Sequence, residues 1–317
     1  MASPQVGWIG LGSMGIAMSK NLQKYFNETN SPALIYTNRT LSRGDSLKAL
    51  NAIPAESVGE LTKKCDIIFS CVSNDAVLLE VANEIIASGD ISGKIYVDCS
   101  TVHPDTSELI SKNMSKAGAE FVSAPVFGAS PMAEAGKLIF VAAGPESAKS
   151  KISTYLNSVM GRSIIDMGDQ VSKSSLLKIA GNICVVSFVE IMSEAHVFAE
   201  KTGLGSEILE KMIGDMFGPV IESYSKRVTQ GHYAPPPGGK AGFDVSLAIK
   251  DAKHALKCAE EAGTRLEVSE VALAHMEKAR QLQPDRPLDS SSMYGAIRHD
   301  AGLDFFSDFC KKRDGTL

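Results

Sequence analysis

The sequence predicts an α/β protein with two domains: an open, doubly wound and mainly parallel sheet, followed by an all-α region. Short β-rich runs alternate with helical segments up to about Gln170, and from there onward almost every segment has helical spacing. Strands that alternate with helices pair in parallel through right-handed crossovers, and such a sheet is covered on both faces. A chain of 317 residues also exceeds what one hydrophobic core usually serves. We therefore place the two domains at residues 1–168 and 169–317.

The elements of the first domain follow one another in order. Each predicted strand is a short run rich in β-branched or other apolar residues, and each predicted helix is amphipathic or polar. The predicted strands are Val6–Ile9, Ala33–Thr37, Asp66–Val72, Lys94–Cys99, Glu120–Ser123 and Leu138–Ala142. The predicted helices between them are Gly15–Tyr25, Ser42–Asn51, Ala76–Ala87 and Asp105–Lys116.

The second domain opens with a helix predicted over roughly residues 174 to 201. Its middle is apolar nearly all round, and a helix of that kind must be surrounded by protein. Part of that covering can come from a second subunit, so we expect a homodimer. Four polar residues interrupt the apolar run, and we therefore expect no membrane span. They are Lys178, Asn182, Ser187 and Glu190.

A glycine pattern follows the first predicted strand. Gly10, Gly12 and Gly15 form G-x-G-x-x-G, and a segment compatible with a helix begins at Met14. In a Rossmann domain the first glycine makes the tight turn, the second lets a pyrophosphate approach the backbone, and the third lets helix and strand pack closely. The helix N-terminus then offers unpaired N–H groups to the phosphates. We therefore predict a dinucleotide cofactor bound by Gly10, Leu11, Gly12, Ser13, Met14, Gly15 and Val72.

The end of the second predicted strand bears on which dinucleotide binds. Asn38, Arg39 and Thr40 stand where an NAD-binding domain usually carries an acidic residue that binds the ribose 2′-hydroxyl. A carboxylate there would repel a 2′-phosphate, whereas a guanidinium can bind one. We therefore expect NADP(H), with these three residues at the 2′-phosphate; the alternative is a turn with a surface arginine.

Composition and charge exclude several other functions. The net charge is −5 and the basic runs are short, which disfavours nucleic acid as a partner. The six cysteines show neither a zinc nor a redox-pair spacing, so we expect no metal. The glycine turn begins within ten residues of Met1, and reduced cysteines suit a reducing compartment, so we expect a cytoplasmic protein.

Three further stretches carry candidate chemistry. Ser100 and Thr101 end a predicted strand, where they could bind substrate oxygens or cap the next helix. The loop Ala124–Ala129 could offer backbone N–H groups to an anion. Lys178 and Asn182 are four residues apart, hence on one helix face. A buried lysine is costly unless it reaches a cleft or a partner, and an ammonium protonated at neutral pH suits proton donation to a carbonyl under reduction.

These motifs together resemble the β-hydroxyacid dehydrogenase family, which includes 3-hydroxyisobutyrate dehydrogenases and glyoxylate/succinic semialdehyde reductases. The resemblance covers essentially the whole chain. It implies that Lys178 is the general acid/base, that Asn182 holds substrate or lysine, and that the helical domain dimerises through its first helix. It further implies an NADPH-dependent reductase of a small aldehyde or oxo acid, forming the hydroxy acid. The implied substrate-site residues are Ser100, Thr101, Phe127, Gly128, Ala129, Phe243 and Asp251, with Thr101 and Lys250 also near the cofactor.

One departure affects the expected substrate. The family's loop usually reads Pro-Val-Ser-Gly, with the serine on the substrate carboxylate, and here that position is Phe127. A larger or more apolar carbonyl compound is therefore favoured over glyoxylate. Two alternatives remain open: an imine reductase-like enzyme, disfavoured because those enzymes generally lack the lysine, and a non-catalytic NADP-binding relative. The segment Ala234–Gly239 is read either as a connector or as a lid.

Overall fold

The computed structural model describes residues 3–317, and these form two compact units, the first ending at Lys178 and the second spanning residues 179–317. The first unit contains a six-stranded, fully parallel sheet in the order β3-β2-β1-β4-β5-β6. Its strands are β1 (Val6–Ile9), β2 (Ile35–Thr37), β3 (Ile53–Pro54), β4 (Ile67–Ser70), β5 (Ile95–Asp98) and β6 (Glu120–Ser123). The strand order reverses direction beside β1, as in a doubly wound sheet. The predicted fold class is confirmed.

Helices cover this sheet on both faces because each presents one apolar side to it. The helices are α1 (Ser13–Thr29), α2 (Asp45–Lys48), α3 (Val58–Lys64), α4 (Asp75–Ala87), α5 (Pro104–Lys116), α6 (Ser130–Glu134) and α7 (Glu146–Thr154). On one face, Leu22 and Phe26 of α1 enter a core with Trp8. On the other, Ile85 of α4 and Ile110 of α5 enter a second core. Burial on both faces explains why the central strands are uniformly apolar.

A second, three-stranded sheet flanks the first unit's core and was only partly predicted. It consists of β7 (Val126–Phe127), β8 (Leu138–Ala142) and β9 (Gly161–Asp166), with β7 antiparallel and β9 parallel to β8. Only β8 was predicted from the sequence. The strands β3 and β7 are two residues long, and β9 lacks a buried alternating face. All three are strands because of a distant partner, which local spacing does not reveal.

The predicted helix over residues 42–51 was wrong in its extent. The structure has a single 3₁₀ turn, Leu41–Gly44, followed by the short helix α2. Gly44 ends the 3₁₀ turn, and a Cβ at this position would lie 2.1 Å from the ring of Tyr36. Only glycine lets the backbone pass so close to the ring.

The second unit is helical, as predicted, and no strand occurs among its described residues. The helix α8 (Val171–Thr202) starts in the first unit and continues into the second. The remaining helices are α9 (Ser206–Thr229), α10 (Val245–Glu261), α11 (Glu267–Leu282), α12 (Met293–Asp300) and α13 (Asp308–Asp314). Gly218, with φ of +80°, and Pro219 kink α9.

The helix α8 is buried on one side only within a single chain. Val186 and Val189 are 3% and 1% exposed, whereas Ile191 and Phe198 are 50% and 64% exposed. By length and composition this helix could also cross a membrane, although the core helix of a soluble protein meets the same criterion. The expectation of protein on every side of α8 is thus not met by one chain.

Candidate active site

The glycine turn between β1 and α1 has the geometry of a phosphate-binding turn. Gly10 has φ of +94°, and a Cβ there would lie 2.4 Å from the carbonyl oxygen of Cys71. A Cβ on Gly15 would lie 2.2 Å from the carbonyl oxygen of Gly10. Both positions therefore require glycine for conformation or packing. Gly12 differs, because nothing lies within 4 Å of its Cβ position, so its backbone faces open space where a pyrophosphate fits.

Trp8 fixes this turn, and sequence reasoning missed it. Its indole Nε1–H donates to the carbonyl oxygen of Gly10 at 2.8 Å, and its ring stacks on Phe69 with centroids 5.7 Å apart. The side chain is fully buried. A tryptophan within the first strand signals a buried N–H that needs an acceptor, and this was the available clue.

Asn38 joins the glycine turn to the loop after β2. Its side-chain oxygen accepts from the backbone N–H of Leu11 at 2.9 Å, and its amide donates to the carbonyl of Thr40 at 2.8 Å. Both of these hydrogen bonds join the Asn38 side chain to backbone groups, and they fix the shape of the loop. The neighbouring Arg39 and Thr40 are exposed, which leaves the guanidinium accessible to a ligand.

Buried polar groups link the carboxyl ends of β4 and β5. The hydroxyl of Ser100 donates to Asp98 Oδ1 at 2.7 Å and accepts from the backbone N–H of Val72 at 2.8 Å. The hydroxyl of Ser70 donates to the same carboxylate oxygen, also at 2.7 Å. Ser100 therefore has no hydrogen left to donate to a substrate oxygen, and its role here is to hold Val72. Thr101 is half-buried beside it and stays a candidate for substrate.

Lys178 lies in the first turns of α8 and contacts an aromatic ring. Its Nζ is 4.6 Å from the ring centroid of Phe127, within the range of a cation–π interaction. Both side chains are half-buried. The structure thus brings together two of the predicted site residues that stand far apart in the sequence.

The segment after Phe127 is held against the cofactor-binding helix. Gly128 has φ of +131°, and a Cβ there would lie 2.7 Å from the side chain of Leu138. Ala129 caps the N-terminus of α6, whose Ala133 accepts a hydrogen bond from Asn21 of α1 at 2.8 Å. The predicted loop 124–129 is therefore a short strand followed by a constrained glycine.

In the second unit a separate polar cluster forms around Asp251. Asn182 Nδ2 donates to Asp251 Oδ2 at 2.6 Å, and Lys250 Nζ lies 3.2 Å from Asp251 Oδ1. Asn182 and Asp251 are both buried, at 6% and 4% exposure. Three candidates from two separate parts of the sequence thus meet, because α8 and α10 pack through small residues such as Ala252.

Phe243 is held by a buried carboxylate that the sequence did not reveal. Asp289 is 1% exposed; its Oδ2 accepts from the backbone N–H of Phe243 at 2.8 Å, and its other oxygen pairs with Arg227. The start of the segment 234–239 is likewise fixed, since Arg286 donates to the carbonyl of Pro235 at 2.8 Å and Arg313 to that of Ala234 at 2.7 Å. These contacts favour the connector interpretation for its first residues.

The glycine turn and the parallel sheet define a nicotinamide dinucleotide-dependent oxidoreductase. Residues 5–168 match the model of the NAD binding domain of 6-phosphogluconate dehydrogenase. Residues 173–297 match the model described as NAD-binding of NADP-dependent 3-hydroxyisobutyrate dehydrogenase. The chain belongs to the β-hydroxyacid dehydrogenase family, and it is an oxidoreductase acting on CH–OH and C=O groups.

Individual relatives agree with this assignment. The chain is 32% identical over 301 residues to glyoxylate/succinic semialdehyde reductase 1 of Arabidopsis thaliana, covering 93% of this chain and 98% of that protein. It is 30% identical to an NADH-dependent oxidoreductase of Aspergillus ustus, with 92% and 98% covered. The solved 3-hydroxyisobutyrate dehydrogenase of Mycobacterium tuberculosis shares the fold, with a TM-score of 0.78 at 20% identity over 94% of this chain and 100% of that one.

Proposed function

We propose that this protein is an NADPH-dependent reductase that converts a small aldehyde or oxo acid to the corresponding alcohol or hydroxy acid, with Lys178 as the proton donor. The observation that carries the proposal is the placement of Lys178. Its ammonium lies 4.6 Å from the ring of Phe127, on the same compact unit as the glycine turn. A half-buried ammonium in the cofactor-binding unit is suited to deliver a proton to a carbonyl oxygen.

The residues of the chain have distinct parts in this reaction. A reduced nicotinamide dinucleotide supplies the hydride when bound. Lys178 gives its proton to the alkoxide that develops at the carbonyl oxygen, since an ordinary lysine ammonium is protonated at neutral pH. Asn182, one helical turn further along α8, and its partner Asp251 are proposed to bind substrate.

Backbone donors and one hydroxyl complete the proposed substrate side. The N–H groups of Gly128 and Ala129 and the hydroxyl of Thr101 are candidates for the substrate's oxygens. Phe243 and Lys250 are assigned to substrate and cofactor, respectively, by resemblance to the family. Ser100 is proposed to act indirectly, because its hydroxyl bonds hold Val72 at the cofactor edge of the sheet.

The preference for NADPH over NADH rests on the loop after β2. Arg39 is exposed, and the side chain of Asn38 is hydrogen-bonded to backbone groups. No carboxylate directly follows the strand, so none would repel a 2′-phosphate there. One relative is named as NADH-dependent, and the family model of the second unit is described from an NADP-dependent enzyme. Measuring KM for NADPH and for NADH with the same carbonyl substrate decides which cofactor is preferred.

We further propose that the second unit pairs with a second copy of the chain. Ile208, Met212 and Met216 follow one another at intervals of four on α9 and are 66%, 43% and 70% exposed. Residues at this spacing share one helix face. An apolar face of this kind on a soluble protein is typical of an interface, and Phe198 on α8 is similarly exposed.

The test of the proposed reaction compares Lys178→Ala with Lys173→Ala, a variant of an exposed lysine on the same helix. Each is assayed for NADPH oxidation at 340 nm with succinic semialdehyde, glyoxylate and benzaldehyde. We expect Lys178→Ala to lower kcat by about 10²- to 10⁴-fold, the range for a lost general acid. Affinity for NADPH should change less than about twofold, and Lys173→Ala should be unaffected.

Two outcomes would contradict the proposal. Full activity in Lys178→Ala would remove the role assigned to that residue. Tight NADPH binding by the unaltered protein without turnover of any carbonyl compound would indicate a non-catalytic relative.

A further inference from the structure

We infer that Phe127 is a specificity residue that selects carbonyl substrates with an apolar substituent, aryl or branched alkyl, beside the carbonyl group. It does so by covering one side of the Lys178 ammonium and offering the rest of its ring as an apolar wall. The inference rests on the proposed function, because it concerns the substrate of the reaction that Lys178 assists.

The ring of Phe127 and the ammonium of Lys178 are in direct contact. Lys178 Nζ lies 4.6 Å from the centroid of the Phe127 ring, and both side chains are half-buried. The ring's negative face attracts the ammonium without supplying a hydrogen bond or a counter-charge. The ring therefore covers one side of the Lys178 ammonium.

The ring of Phe127 stands on a fixed part of the first unit. Phe127 pairs with Ile139 in the β7–β8 ladder, and the backbone N–H of Val141 donates to the carbonyl of Pro125 at 2.9 Å. The turn after it depends on Gly128, whose Cβ position is blocked by Leu138. A side chain between these constraints has little freedom to withdraw when a ligand arrives.

The short helix α6 reinforces this position from the other side. Asn21 of the cofactor-binding helix donates to the carbonyl of Ala133 at 2.8 Å, and Ser130 Oγ lies 3.8 Å from the sulfur of Met14. Met14 belongs to the first turn of α1, directly after the glycine turn. The ring is thus tied to the same helix that would receive the cofactor's phosphates.

A phenyl ring at this position favours apolar substituents over charged ones. A carboxylate placed against it would lose water and gain no donor from this side chain, which is unfavourable. An aryl group can pack against it in an offset or edge-to-face arrangement, and an alkyl group is also tolerated. With the ring next to the ammonium, this selection acts on the substituent adjacent to the reacting carbonyl.

The experiment compares a pair of aldehydes that differ in that substituent. Benzaldehyde carries a phenyl group on the carbonyl carbon, and glyoxylate carries a carboxylate there. kcat/KM is measured for both with the unaltered protein, with Phe127→Ser and with Phe127→Leu. Thermal unfolding verifies that each variant is folded. Energy transfer from Trp8, the single tryptophan of the sequence, to bound NADPH verifies that each variant binds the cofactor.

We expect the unaltered protein to favour benzaldehyde by at least tenfold in kcat/KM. In Phe127→Ser the ratio should shift toward glyoxylate by tenfold or more, because a hydroxyl replaces the apolar wall. Phe127→Leu keeps an apolar wall without the ring's negative face. It should therefore retain the preference, within about threefold, while kcat falls for both substrates alike.

A preference of the unaltered protein for glyoxylate, or the same ratio in Phe127→Ser, would overturn the inference while leaving the proposed reaction intact. Absence of turnover with both aldehydes and with succinic semialdehyde would instead reject the proposed function. A preference of the unaltered protein for glyoxylate would overturn the inference even if both variants failed to fold.

Discussion

The indole N–H of Trp8 donates to the carbonyl of Gly10 at 2.8 Å, so the first strand holds the turn that follows it. Trp8 is fully buried, and its N–H would otherwise be without an acceptor in the core. The bond fixes the peptide of Gly10, whose φ of +94° is required for the turn. We therefore expect cofactor binding to depend on Trp8, a fully buried residue, through the turn that it holds.

Replacing Trp8 with phenylalanine should weaken cofactor binding. The ring volume is largely kept but the N–H is lost, and a buried hydrogen bond contributes about 0.5–1.5 kcal/mol, so we expect a two- to tenfold rise in Kd for NADPH. Isothermal calorimetry measures it. The matched control is Phe69→Leu, which removes the stacking partner of Trp8 but keeps the hydrogen bond. It should lower the melting temperature with little change in Kd; an equal change in Kd in both variants would contradict the positioning role.

The cofactor preference should depend on Arg39. A bond from a guanidinium to a phosphate contributes about 1.5–3 kcal/mol, so Arg39→Ala should raise KM for NADPH by about 10- to 150-fold. KM for NADH should change less than twofold. Arg43, also exposed and in the following turn, provides the control variant Arg43→Ala. An unchanged NADPH/NADH ratio in Arg39→Ala would reject the assignment.

Removing the hydroxyl groups of the adjacent residues Ser100 and Thr101 should change different properties of the protein. Ser100→Ala deprives Val72 of its acceptor and Asp98 of a donor in a buried network, which we expect to cost about 1–3 kcal/mol of unfolding free energy and to weaken NADPH binding. Thr101→Val should raise KM for the carbonyl substrate, because the hydroxyl proposed to bind its oxygen is lost. Chemical denaturation and steady-state kinetics separate the two effects. A destabilised Thr101→Val with normal KM would reverse the assignment.

Stability of the second unit should decrease with rising pH because of His275. Its Nδ1 lies 2.7 Å from Glu190 Oε1, and this hydrogen bond raises the pKa of His275 above 6.5. A raised folded-state pKa means that the stabilisation is fully present below the unfolded-state pKa of about 6.5 and is lost as pH rises through the folded value.

The measurement is the melting temperature from pH 5.5 to 9 for the unaltered protein, His275→Gln and His232→Gln. His275→Gln should melt lower than the unaltered protein at pH 6, and the difference should shrink toward pH 9. His232 is exposed and serves as the control. A difference that stays constant across this range would show that His275 stabilises by packing alone.

The exposed face of α9 should determine the oligomeric state. Met212 lies in the middle of that face, so Met212→Glu places a charge in the proposed interface, where burying it would be costly. We expect a dimer for the unaltered protein and a monomer for the variant by light scattering. Lys211→Glu, a neighbouring exposed position, should remain dimeric. A monomeric unaltered protein would refute the proposed pairing.

The strands of the parallel sheet and the glycine turn were predictable because their signals are local. A buried strand is apolar over consecutive residues, and the spacing of Gly10, Gly12 and Gly15 reflects one turn. The strands Ile53–Pro54 and Gly161–Asp166 were missed, since each exists only through pairing with a distant segment. The role of Asp289 was missed for the same reason: its partners Phe243 and Arg227 are remote in sequence.

By itself, the sequence determined the buried strands of the parallel sheet, the dinucleotide turn and the lysine of the long helix, because each depends on residues within a few positions of one another. Only the tertiary structure decided that the Lys178 ammonium lies over the Phe127 ring, that Ser100 donates its hydroxyl hydrogen to Asp98, and that Trp8 donates to Gly10. Only the first of these contacts joins separate segments, but all three depend on where side chains point. Packing of the whole unit fixes those directions, and residue spacing does not.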